Sequence, residues 1–211
     1  MTQLTECRPQ AQSKSTRYVA GMVAALMLAG TATVSMAADT VTMGSGADIT
    51  TMCGDKPTVV ALADGFGGNT WRRTVLAELK DEASKCPNIT NVLYADAAGD
   101  PAKANSDINS LVAQGVNVLI VYPDFGEATL PAIRAAHEAG VVVIPYNPVL
   151  PGEPGVDYDA NVYQDQTFNT DAWAKWIGEN IKSGTVLYFS GIAGNTFSTD
   201  IMNKLAEALK K

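Results

Sequence analysis

The sequence predicts an α/β protein: a doubly wound, Rossmann-like parallel sheet that forms a first lobe, followed by the opening of a second, incomplete α/β lobe. Three observations predict it. Short continuous apolar runs alternate with amphipathic stretches from about Lys56 onward. The runs are apolar at successive positions, as strands covered by helices on both faces must be. Glycine, proline, Asp and Asn punctuate the boundaries between them.

Val59-Val60-Ala61-Leu62-Ala63 reads as the first strand. Gly65, Gly67, Gly68 and Asn69 form a loop, and Thr70 to Lys85 reads as a helix with Trp71, Val75 and Leu79 near helical spacing. Val92-Leu93-Tyr94-Ala95 is the second strand. Asp100-Pro101 starts the next helix, an N-cap followed by proline in the first turn. Ile108, Leu111 and Val112 give that helix its apolar face, and Gly115 ends it. Val116 to Tyr122 is the third strand. Asp124 is expected to open a helix that runs to Ala139 and stops at Gly140. Val141 to Ile144 is the fourth strand.

Residues 145–160 then crowd Pro145, Pro148, Pro151, Gly152, Pro154 and Gly155 together, a boundary composition. Beyond it lie Asn161-Val162-Tyr163, a helix from Thr167 to Lys182, a strand at Thr185–Phe189, a loop at 190–195 and a last helix. One clear strand and two helices cannot bury a parallel sheet, so the second lobe is expected to be incomplete. The resulting division is 1–38, an arm at 39–55, a first lobe at 56–150, a crossover or hinge segment at 151–165, and the start of a second lobe at 166–211. The arm is rich in Thr, Gly and Ser without a period and is expected to be flexible.

Lys14 and Arg17 precede an uncharged apolar stretch from about Tyr18 to Val34, and small residues follow at Ser35-Met36-Ala37-Ala38. Basic, then apolar, then small-x-small is the order of a secretory signal peptide, with cleavage expected after Ala37 or Ala38. Cys7 leaves with it. Cys53 and Cys86 remain, one before the first strand and one after the first helix. In an oxidising compartment they can form one disulfide, and two unpaired thiols are the alternative.

Composition narrows the function. The formal net charge is −7, so a nucleic-acid partner is not expected. The single histidine, His137, sits near a helix end and reads as structural. There is no H-E-x-x-H or G-x-S-x-G, so no catalytic residue is assigned. The wide cysteine spacing suggests no metal site. Gly65-Phe66-Gly67-Gly68-Asn69-Thr70 imitates a dinucleotide loop, but Thr70 replaces the third glycine. Asp96 lies about six residues beyond the usual place of the ribose-binding acid, so no cofactor is expected.

Asn69-Thr70-Trp71-Arg72 carries more information. It gathers an amide, an indole and a guanidinium at a helix start beside a strand end. Sugars offer an apolar C–H face for stacking and a hydroxyl rim for planar polar groups. A bidentate Arg suits adjacent hydroxyls or a carboxylate. By residue type alone, Trp71 packed in the core with Arg72 in solvent is an equal reading. Asn147, at the end of the fourth strand, is a second polar candidate, with a turn role before Pro148 as the alternative.

These residues, in this order, resemble the periplasmic ribose- and galactose-type sugar-binding proteins, the soluble receptors of ABC importers. The resemblance covers roughly residues 56–211. It rests on Val59–Arg72 with Gly-Asn-Thr-Trp-Arg at 68–72, on Asp100-Pro101-Ala102-Lys103 followed by Ile108, Leu111 and Gly115-Val116, and on Ala139–Pro145. Asp165 before an amphipathic helix and Gly191-Ile192-Ala193-Gly194 continue it. The resemblance implies the periplasmic-binding-protein type I fold: two α/β lobes joined by three crossing strands that close by a hinge on a sugar or polyol. It implies a periplasmic, monomeric protein without chemistry of its own, whose partner is an ABC permease in the inner membrane. By position Asn69, Trp71, Arg72 and Asn147 become ligand contacts and Phe66 an extra wall. Asn147-Pro148 stands where the family commonly has Asp-Arg, and Thr199 where many members carry an arginine. An effector-sensing domain of a repressor shares this fold, but it needs an N-terminal helix-turn-helix where residues 1–40 read as a signal. A non-functional truncated fragment of the receptor is a further alternative.

Overall fold

The structure, a computed structural model, describes residues 48–210. The signal peptide expected at 1–38, its expected cleavage site and the first part of the arm lie outside the described residues. Within the arm, Ile49–Met52 forms a 3-10 turn capped by Asp48, and Cys53 is bonded to Cys86 (S–S 2.05 Å). Of the two readings left open for Cys53 and Cys86, the structure shows the disulfide, which ties the end of the arm to the turn after the first helix.

Five parallel strands form one sheet in the order β2-β1-β3-β4-β5. They are β1 (Thr58–Asp64), β2 (Ile89–Asp96), β3 (Val118–Val121), β4 (Val142–Asn147) and β5 (Val162–Tyr163). β1 pairs with β2 on one side and β3 on the other, which explains why its run is buried from Val60 onward. The chain winds outward in one direction from β1 to β2 and in the other from β3 to β4 and β5. The gap between β1 and β3 is thus the switch point, where the loops diverge and leave a crevice at the carboxyl ends of the strands.

Three helices follow the first three strands: α1 (Thr70–Ser84), α2 (Pro101–Ala113) and α3 (Leu130–Glu138). Asp100 caps α2 by accepting from the Ala102 and Lys103 N–H groups, with Pro101 in the first turn. Gly115 adopts φ +82° after α2, and Gly140 adopts φ +86° after α3. Both are left-handed exits that cost a residue with a Cβ more than they cost glycine. Ile108 and Leu111 of α2 and Ala132, Ile133 and Ala136 of α3 pack on Ala61, Ala63, Leu119, Val121 and Val143. Leu150 and Tyr158 close that core from the segment after β4. Asn161 pins this segment, accepting from Leu150 N–H and donating to the carbonyls of Pro145 and Pro148.

Two expectations change, and one alternative is decided. Asp124 does not open a helix: Gly126–Thr129 is a 3-10 turn, and α3 begins at Leu130. The Asp124 carboxylate is buried and engaged elsewhere, so it is not free to cap. Thr185–Phe189 forms no strand. A parallel strand needs a neighbour for its N–H and C=O groups, and the described residues offer this segment none; Leu187 and Phe189 are left exposed. On α1 the buried positions are Arg72 and Ala83, with Val75 and Leu79 half-buried, while Trp71 faces out. α4 (Thr167–Asn180) and α5 (Thr196–Ala208) pack together through Thr170, Ala174, Ile201 and Leu205. No described helix is long and apolar enough to cross a membrane.

Candidate binding cleft

The loop between β1 and α1 is built by carboxylates from neighbouring strands. The Gly65 N–H donates to Asp124 Oδ2 (2.9 Å), and the Gly67 N–H donates to Asp96 Oδ1 (2.8 Å). Asp96 Oδ1 also accepts from the Ala98 N–H. A Cβ on Gly67 would lie 1.8 Å from the Tyr94 hydroxyl, so this glycine answers a close approach of Tyr94 and Asp96. The acid considered for a ribose is therefore committed to shaping the loop. Asn69 caps α1, its Oδ1 accepting from the Arg72 N–H (3.0 Å). The cap fixes the first turn and carries Trp71 and Arg72 with it.

Arg72 is only 5% exposed. Its Nη1 donates to Asp64 Oδ1 (2.8 Å) and its Nη2 to both oxygens of Asp124 (2.8 and 3.1 Å). Its guanidinium lies 3.3 Å from the Tyr122 ring centroid and 5.1 Å from that of Trp71. Asp64 also accepts from the hydroxyls of Tyr146 (3.2 Å) and Tyr94 (3.3 Å). Burial raises the Asp64 pKa above the ordinary carboxylate value against the pull of Arg72 and the tyrosine hydroxyls. Burial likewise pushes Asp124 up to about 6, opposed by Arg72 and the Gly65 N–H. Burial disfavours the Arg72 cation, but the two carboxylates outweigh it and hold its pKa above the usual value.

Trp71 lies above this network and is 48% exposed. Its ring stacks near-parallel on Tyr146 (6.4 Å, 16°) and meets Tyr122 edge-on (5.8 Å). Asn147 follows with φ +72°, a left-handed conformation that Asn tolerates better than most residues. Its Oδ1 is buried without a hydrogen-bond partner. Tyr146 and Asn147 pair with Val162 and Tyr163 of β5, and the Gln164 N–H donates to the Asn147 carbonyl (3.2 Å). Trp71, Tyr146, Asn147, Tyr163, Gln164 and Phe197 together line an open cleft. It has aromatic faces, amide edges and, among the described residues, no charged wall.

Two of the sequence-derived candidates, Trp71 and Asn147, meet in this cleft. Arg72 lies beneath it. Asn69 turns its side chain to the helix cap, and Phe66 packs against Phe125 (5.6 Å). Tyr146, Tyr163, Gln164 and Phe197 escaped sequence reasoning, as did the carboxylates Asp64 and Asp124. A usable signal existed for the last two. Asp64 ends the apolar run of β1 and Asp124 follows that of β3 by three residues, and an acid so close to a buried run is tolerated only when its charge is partnered. Among the described residues no group of three or more His, Cys, Asp or Glu is placed to hold a metal ion.

A family model described as a periplasmic binding protein domain matches residues 59–211. Among solved structures, a Caulobacter myo-inositol binding protein bound to myo-inositol superimposes with a TM-score of 0.64 at 23% identity, covering 74% of this chain and 52% of that one. The periplasmic binding protein component of the arabinose ABC transporter from Shewanella sp. ANA-3, bound to α- and β-L-arabinofuranose, gives 0.61 at 18% identity, covering 72% and 50%. An ABC transporter solute binding protein from Thermobispora bispora gives 0.59 at 25% identity, covering 72% and 48%. The chain thus spans about half the length of these solved structures. Among curated proteins no significant match is found.

Proposed function

Because the chain belongs to the periplasmic binding protein domain family and has its type I fold, we propose that it captures a sugar or related polyol in the cleft between Trp71 and Asn147. The observation that carries this reading is a half-exposed indole, Trp71, stacked near Tyr146 in one open cleft that the amide residues Asn147 and Gln164 also line. A pyranose, furanose or cyclitol ring has the complementary surfaces: C–H faces for Trp71 and a hydroxyl rim for the amide-bearing wall of Asn147 and Gln164. Two of the solved structures named above hold myo-inositol and arabinofuranose, ligands of this class.

In this reading the protein is exported to the periplasm, binds without chemical change, and works as a monomer that delivers its ligand to an ABC permease. Residues 56–150 act as the first lobe, 151–165 as the hinge segment and 166–211 as the start of the second. Phe66 and Asn69 support the cleft through the loop and helix start. The test is thermal unfolding of residues 38–211 against myo-inositol, L-arabinose, D-ribose, D-galactose, D-fructose and, as a control, NAD. A rise in Tm with one or more sugars and none with NAD is the expected result. A flat response to every sugar, or a rise with NAD alone, overturns the reading.

A further inference from the structure

Resting on that reading of the cleft, we propose that Asp64 and Asp124 are positioning residues of the binding site: acting through Arg72, they hold Trp71 as its stacking wall. Trp71 sits on an exposed helix turn, and its orientation comes from the rings around it. Tyr146 stacks on it, Tyr122 meets its edge, and the Arg72 guanidinium lies 5.1 Å from its centroid. Each of these supports runs back to the two carboxylates. Tyr146 is anchored by its hydroxyl to Asp64, and Arg72 is held by Asp64 on one amino group and Asp124 on the other. Tyr122 is pinned beneath the guanidinium.

The same geometry assigns Arg72 a role other than ligand contact. A guanidinium 5% exposed, with both amino groups on carboxylates and its plane over Tyr122, has its charge spent inside the protein. It acts as a strut. A ligand carboxylate or phosphate reaching for it would have to displace Asp64 or Asp124 from a buried pair, which is costly because the displaced carboxylate keeps its burial and loses its counter-ion.

The test is made without sugar, so it stands or falls apart from the function proposed above. Trp71, Trp173 and Trp176 are the three tryptophans, and Trp173 and Trp176 are well exposed, so a Trp173→Phe/Trp176→Phe background leaves Trp71 as the sole reporter. Acrylamide quenching and anisotropy of Trp71 are then measured in that full-length background and in Asp124→Asn, Asp64→Asn and Arg72→Lys. Ile133→Val, a core change at a residue that takes no part in the network's hydrogen bonds or ring contacts, serves as the control for stability alone. The proposal expects quenching to rise roughly twofold or more and anisotropy to fall in the three network variants. That is the population change expected when a cation–π contact at a half-exposed ring is lost. Ile133→Val should leave both unchanged while lowering Tm. Asp124→Asn and Asp64→Asn each leave the buried Arg72 with one carboxylate and are expected to lower stability strongly; Arg72→Lys keeps a cation but not the two-carboxylate fork, and its result decides the matter if either fails to fold. Unchanged quenching in the folded variants, or an equal change in Ile133→Val, overturns the proposal.

Discussion

Asp124 places a carboxylate where water is excluded, and the protein meets that cost with one guanidinium shared between two acids. Its pKa of about 6 lies above the ordinary 3.8, so the folded state binds this proton more tightly than the unfolded chain does. The linked stability therefore rises as pH falls from about 6 towards 4. Asp157 and Asp165 run the other way. Hydrogen bonds from Arg134 to Asp157 and from Thr167 to Asp165 lower their pKa values, and the stability they add above the ordinary carboxylate range is lost in acid. Asp124→Asn should thus change the slope: the difference in Tm between the native chain and the variant should grow in the native chain's favour from pH 7 to pH 4. A constant difference across that range would contradict the assignment. Asn147 offers a second test. Asn147→Gly suits φ +72° and removes the orphan acceptor, so the free protein should hold its stability or gain on the order of 1 kcal/mol. Affinity for the bound sugar should fall about tenfold, a loss of roughly 1.4 kcal/mol. Calorimetric unfolding and titration of the same sample read both effects. At this scale Trp71 and Asn147 were legible from residue type. That Arg72 points in and Trp71 out was not, because the choice depends on Asp124, which lies on another strand end.

Elements with strong local signals emerged where the sequence placed them. β1 is apolar throughout because it lies between two strands, and α2 carries both its cap and its left-handed exit in sequence. The two errors share one cause. Asp124 looks like a cap, and Thr185–Phe189 looks like a strand, but a side chain's partner and a strand's neighbour are tertiary facts that no local pattern contains. Caps and staples can be tested at this scale. Asn69→Ala removes the acceptor for the Arg72 N–H and should cost about 1 kcal/mol in urea unfolding. Because the cap also fixes the turn that bears Trp71, the sugar response should weaken alongside. Cys53→Ser/Cys86→Ser opens a cross-link over a separation of 33 residues and should lower stability by roughly 3–4 kcal/mol. An unchanged denaturation midpoint in that variant would show that the cross-link does not stabilise the folded chain.

Across the whole molecule, the strand order puts β1 and β3 side by side at the switch point, and the carboxylates and the rings packed around Trp71 come from the ends of β1, β2 and β4, the loop just after β3 and the first turn of α1. The rhythm of apolar runs predicted the parallel sheet; the crevice follows from the strand order, which no local pattern contains. The far wall was harder to foresee: Tyr163, Gln164 and Phe197 follow the proline- and glycine-rich stretch, where no period guides the reading. Export, delivery to a permease and hinge closure are properties proposed for a whole receptor, of whose solved relatives this chain spans about half. The central claim is narrower: the cleft between Trp71 and Asn147 binds a sugar by stacking on Trp71. Isothermal titration of residues 38–211 with the sugar that most raises Tm, repeated with Trp71→Ala, tests it most directly. The account predicts one-site binding in the native chain and its loss in Trp71→Ala, with the variant still cooperatively folded because the indole is half in solvent. Equal binding by both proteins, or no measurable heat with any sugar of the panel, would contradict it.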